Sequence, residues 1–166
     1  MQLDYAETLV GIAAIAVALA GFSGVVVAFG SRSRGSWHEG DRLRLEFLLE
    51  ASLTAGGFSL LALVLFHAVR DAPDIAWIAT SAAWAVFMLG SLYSSRRRIR
   101  TNLQEHGDID ELTNRLVFAA FLALIAVQAL NVFLWREFAP LLLALCFNLA
   151  GAAMQFTRLI RSAFHA

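Results

Sequence analysis

The sequence predicts an all-α fold, a polytopic membrane helix bundle with five transmembrane helices, the N-terminus outside and the C-terminus cytoplasmic. Three observations predict it. First, the 166 residues are 59% hydrophobic and only 16% charged, with a mean hydropathy of +0.66, whereas soluble domains are roughly 45–50% apolar and about 25% charged. Second, five apolar runs, Leu9–Phe29, Phe47–Val69, Ile75–Tyr93, Leu116–Trp135 and Phe138–Ile160, are each about the 20 residues that a helix needs to cross a hydrocarbon core. Third, the 13 basic residues, all Arg, are unevenly placed. Eleven fall between runs one and two, between three and four, and at or just beyond the inner end of run five (Arg158 and Arg161); only Arg70 and Arg136 fall on the other side. Cytoplasmic loops carry such an excess, which sets the orientation and makes the bacterial inner membrane the expected location.

The first run is too long for a signal-peptide core and follows Asp4 and Glu7 rather than positive charge, so it is expected to be retained. Asp4 can cap its free amides with Glu7 completing a capping box, and Gly30 can end it as a left-handed cap. Helix two is expected to begin before its apolar run, because Ser36 and Glu39 have capping-box spacing and Arg42 and Glu46 stand four apart on one face. Pro73 is a favoured first helical residue for helix three, which can run on through Arg96–Glu105 until Gly107. Helix four can restart at Asp108, with Glu111 three residues later and Arg side chains of helix three nearby. The tight outer connections, Arg70–Asp74 and Arg136–Glu137, impose antiparallel hairpins on helices two and three and on helices four and five. Trp77 and Trp135 near the outer boundary, and Tyr93 near the inner one, fit interfacial anchoring. Nothing in the chain reads as a linker, so residues 1–166 are expected to form a single membrane domain.

Gly21-Phe22-Ser23-Gly24, inside the first run, resembles the serine-bearing motif of rhomboid intramembrane proteases. The resemblance covers Gly21–Gly30 and would make Ser23 a nucleophile activated by a histidine on another span. The chain departs from that pattern. Its histidine within a run, His67, lacks the accompanying glycine spacing, and it lies about 20 Å from Ser23 in depth at the helical rise of about 1.5 Å per residue. Without lysine, a serine–lysine pair is also excluded, and no catalytic residue is assigned. The same segment instead offers small residues for close helix packing: Ala16, Ala20, Gly24 and Ala28 recur every four residues, with Gly21 beside them. Antiparallel pairing with helix two would set Ala20–Gly24 against Ser52–Gly56, next to Gly57. Ser23 is then expected to donate to a carbonyl four residues back or across to helix two.

Ionisable and amide groups supply the remaining candidates. Glu46 and Glu50 lie one turn apart at the start of run two, with Thr54 and Gly57 continuing that face. A carboxylate-lined mouth of a cation pathway is one reading, and interfacial pairing with Arg42 is the other. Gln128 and Asn131 share a face of helix four, while Asn148, Gly151 and Gln155 share one of helix five. Gln128 and Asn148 are close enough in depth for an amide–amide bond, and the two faces could glue helices or line a hydrated path. Cys146 is alone, no histidine–carboxylate cluster has ligand spacing, and no dinucleotide-binding glycine pattern occurs, so neither metal nor cofactor is expected. The Arg96–Arg100 run lacks interleaved aromatics and sits at a span end, which points to lipid headgroups rather than nucleic acid.

With GFSGVVVAFG closing run one and Arg42-Leu43-Arg44-Leu45-Glu46 leading into run two, the chain resembles small polytopic bacterial membrane proteins of no assigned activity. The leading functional expectation is a homo-oligomeric inner-membrane protein that forms a passive ion or small-solute channel. Glu46, Glu50, Gln128, Asn131, Asn148 and Gln155 are its pathway candidates. The alternative is a non-catalytic accessory or assembly subunit of a larger membrane complex, whose protein partner is recognised at the Arg-rich cytoplasmic extensions. The partners expected in both cases are membrane lipids and further protein chains.

Overall fold

The structure is a computed structural model. It describes the backbone at residues 5–34, 39–69, 71–105 and 111–164, and the side chains at 5–26, 40–69, 71–98, 112 and 115–162. The described residues form α1 (Tyr5–Arg34), α2 (Glu39–Ala68), α3 (Pro73–Glu105), α4 (Glu111–Leu130), a π-helical turn (Asn131–Trp135) and α5 (Phe138–Phe164). All five helices contain stretches long and apolar enough to cross a membrane: Tyr5–Val26, Gly40–Ala68, Pro73–Arg98, Arg115–Trp135 and Phe138–Ser162. These features mark a multi-pass membrane protein. Large apolar side chains such as Val17, Val64, Val86, Phe133 and Leu134 stand exposed along them, as they must on a surface whose solvent is lipid.

Helix boundaries follow hydrogen bonding rather than hydropathy. α1 does not stop at Gly30 but continues through Ser31–Arg34, since nothing in that polar tetrapeptide forbids helical backbone once it leaves the apolar layer. α2 begins at Glu39, ahead of its apolar run, and α3 starts at Pro73 and reaches Glu105, as their flanking signals imply. The expected caps at Asp4 and Ser36 and the restart at Asp108 lie outside the described residues.

The helices gather into two compact units, Met1–Val64 with Leu142–Ala166, and Leu65–Leu141. In the first, α1 buries Leu9, Ile12, Ala13, Ala16 and Ser23, a stripe that steps by three, four and seven. Its contact with α2 is close: a Cβ built on Gly56 would lie 3.3 Å from the Ala16 Cβ. The small-residue expectation is therefore corrected by one helical turn, because Gly56 faces Ala16 and not Ala20. Gly21, Gly24 and Gly57 are exposed, and a Cβ on any of them would meet nothing within 4 Å. Steps of four residues advance about 400° around a helix of 3.6 residues per turn, so the stripe Ala16, Ala20, Gly24 drifts about 40° per step off the buried face. The Ala28 side chain lies outside the described residues.

In the second unit, α3 packs against α4 and the π-helical turn. Ser81 on α3 meets Asn131 at one end and Arg96 lies over the Phe118 ring, 4.4 Å from its centroid, at the other. Numbers thus rise along α3 as they fall along α4, and the pair is antiparallel. Trp77 is not a lipid-facing belt residue. It is 4% exposed, stacked on Phe66 at 5.3 Å and tilted against Phe138 at 5.1 Å, so its ring fills the seam between neighbouring elements. Tyr93 and Trp135 are exposed, consistent with interfacial placement.

Candidate functional site

The densest polar arrangement among the described residues is built where α4 ends. An α-helix leaves its last carbonyls unpartnered, and here the chain widens into a π-helical turn before reversing. Arg136 takes the left-handed conformation at φ 57°, and its N–H donates to Asn131 O at 2.9 Å, which closes the turn in the manner of a left-handed helix cap. The Asn131 side chain then binds both polar groups of the residue after that cap. Its Nδ2 donates to Glu137 O and its Oδ1 accepts from Glu137 N–H, both at 2.9 Å. The second Nδ2 proton goes to Ser81 Oγ on α3, also at 2.9 Å. One buried amide therefore fixes the α4–α5 reversal and ties it to α3.

Gln128, one turn earlier on the same face, reaches across the hairpin: its Nε2 donates to Pro140 O at 2.7 Å, in the first turn of α5. Asn148 is buried too, yet its Nδ2 donates to Ala144 O at 3.2 Å within its own helix. The donors of Gln128 and Asn148 are thus engaged with backbone, each inside its own unit, where the sequence had suggested an amide–amide pair. Gln155 is half-buried and its Oε1 has no hydrogen-bond partner.

The carboxylates lie elsewhere. Glu46 Oε1 pairs with Arg42 Nε at 3.3 Å on an exposed face, four residues apart, and Arg44 pairs with Asp41 at 2.8 Å. Surface pairs of this kind contribute at most about 1 kcal/mol. Glu50 is half-buried, and its carbonyl accepts from Thr54 Oγ at 2.6 Å. Thr54 is buried and Gly57 exposed, so the face running from Glu50 does not continue as one polar stripe. The structure brings Gln128 and Asn131 together at one turn, whereas Glu46, Glu50, Asn148 and Gln155 belong to the other compact unit.

Ser23 is 1% exposed, and its Oγ donates to Ala20 O at 2.7 Å. The acceptor is three residues back rather than four, and a hydroxyl whose proton is given to a backbone carbonyl is not activated by a base. His67 is exposed in the last turn of α2, its ring edge-on to Phe66 at 5.8 Å. Among the described residues no three His, Cys, Asp or Glu side chains are grouped to hold a metal ion.

Sequence reasoning missed Ser81, Trp84 and the Glu137 and Pro140 peptides. Thr80, Ser81 and Trp84 are all fully buried on one face of α3, and their spacing of three and four residues was a readable signal. The two peptide partners carry no side-chain signature at all. No protein-family model matches the chain, and neither a curated protein nor a solved structure shows significant similarity to it.

Proposed function

We propose that this chain is a non-catalytic accessory or assembly subunit of the bacterial inner membrane, acting through association with other membrane chains. One observation carries the proposal: the Asn131 amide, well placed to line a pathway, commits both its hydrogens and its oxygen to the α4–α5 reversal and to Ser81. An amide with both hydrogens and its oxygen already bonded offers neither donor nor free acceptor to a passing ion or solute. The Arg distribution supports an orientation with the ends carrying Arg96–Arg98 and Arg158–Arg161 in the cytoplasm and the N-terminus outside. There the Arg side chains meet anionic headgroups and the acidic surface of a partner.

The test is purification of the tagged chain in a mild detergent. A stoichiometric second protein, or a self-complex without transport activity, is the expected result. Ion flux in liposomes that Glu50→Gln alters would overturn it and favour the second reading, a homo-oligomeric passive channel. That reading is supported by Glu50 and Gln155, two pathway candidates of the unit that holds neither Asn131 nor Gln128, and by the unpartnered Oε1 atoms of Gln128 and Gln155.

A further inference from the structure

Two of the most enclosed polar atoms in the unit Leu65–Leu141 have no hydrogen-bond partner: Nε1 of Trp84 on α3 and Oε1 of Gln128 on α4. Both residues are 0% exposed. The two atoms are of opposite kind, since an indole N–H only donates and an amide carbonyl only accepts. A buried donor and a buried acceptor that both go unmade carry their full desolvation cost, which sheds no part of it in lipid.

Their level is fixed by the hydrogen bond one layer away. Asn131 Nδ2 donates to Ser81 Oγ at 2.9 Å, and α3 and α4 are antiparallel. Trp84 lies three residues after Ser81 and Gln128 three before Asn131, so both are displaced about 4.5 Å in the same direction. In an antiparallel seam these positions form the next layer of facing residues. The Gln128 amide cannot turn over to offer its nitrogen instead, because Nε2 is held by Pro140 O at 2.7 Å. Ser81 Oγ accepts the Asn131 proton and keeps its own to give. Two donors, Trp84 Nε1–H and Ser81 Oγ–H, and one acceptor, Gln128 Oε1, therefore belong to adjacent layers of the same α3–α4 seam.

We propose that this layer binds one sequestered water molecule, which accepts from Trp84 Nε1–H and Ser81 Oγ–H and donates to Gln128 Oε1. Three bonds is about the number that buried waters make. A direct Trp84–Gln128 bond would use one donor and leave the Ser81 proton over. A cation would face two donors, and an anion would face the amide oxygen. A neutral molecule able to donate and accept at once suits all three groups, and water is the one that fits a packed helix interface. Bound there, it is a second tie between α3 and α4, beside the direct Ser81–Asn131 bond.

The test uses the full chain in deuterated detergent with its indoles labelled by nitrogen-15, the Trp84 signal being assigned by its loss in Trp84→Phe. A rotating-frame transfer experiment from water is expected to give a dipolar cross-peak at the Trp84 indole proton, and Gln128→Met is expected to abolish it. In Ser81→Ala the cross-peak persists; its loss there would assign the signal to an exchanging hydroxyl and overturn the water. No water cross-peak in the native chain would also overturn the proposal, whether or not either variant folds. So would a Gln128→Met cross-peak as intense as the native one.

Discussion

Asn131 concentrates more structural consequence than any other side chain described, because three hydrogen bonds leave one amide at 0% exposure. Replacing it by Leu keeps the volume but strands the buried Ser81 hydroxyl and unties the N–H and C=O of Glu137, an exposed residue, from the α4–α5 reversal. The expected loss is about 2 kcal/mol, within the range for orphaned buried partners and moderated because membrane hydrogen bonds average below 1 kcal/mol each. Asn148→Leu removes a bond to a carbonyl of its own helix, and is expected to cost less than about 1 kcal/mol. Thermal unfolding of the two variants in one detergent checks the order. Ser23→Ala should be nearly silent in the same assay, because the lost bond is local and the Ala20 carbonyl retains its helical role. A fluorophosphonate probe should leave Ser23 unlabelled; covalent labelling there would restore the hydrolase reading.

At the scale of elements, the contact of α1 with α2 turns on Gly56. A Leu there would drive its Cβ against Ala16 at 3.3 Å with the rest of the side chain beyond, an overpacking expected to cost about 1–3 kcal/mol. Gly24→Leu, in contrast, meets open space and should leave the melting temperature within a degree or two of the native chain. If Gly24→Leu were the damaging one, the α1–α2 register described above would be wrong. Sequence pattern made the helices legible because lipid demands some twenty consecutive apolar residues for each crossing, and it placed Pro73 correctly at the start of α3 and carried that helix through Arg96–Glu105; the expected end at Gly107 lies outside the described residues. It misjudged Gly30, where glycine suggested a stop but the helix continues to Arg34. It also misjudged which small residues face inward. Steps of four and steps of seven look alike over two turns, and only the packed partner separates them. Gln128 and Asn131 were visible as one face of α4, whereas their partners were not, since a carbonyl exposed by a π-helical turn is written in backbone geometry rather than in residue type.

For the whole molecule, the distribution of 13 Arg predicts which ends of the helices share a compartment. In a Cys146→Ala background, Arg97→Cys and Asp71→Cys place single thiols at exposed sites near opposite ends of α3. A membrane-impermeant maleimide should label Asp71→Cys in intact spheroplasts and Arg97→Cys only after permeabilisation. Labelling in the reverse order would invert the proposed topology and move the Arg-rich ends away from any cytoplasmic partner.

The Asn131 clamp also bears on how the chain enters a bilayer. A lone asparagine within an apolar helix burdens the insertion of that helix by itself, because its amide has nothing to bind in hydrocarbon. Here the Glu137 peptide that satisfies it follows only six residues later. As soon as that peptide leaves the ribosome, the Asn131 amide can be masked by the chain's own next segment. The last two helices are thereby suited to partition into lipid together as a closed hairpin, with Ser81 waiting in α3 as the docking mark that receives it.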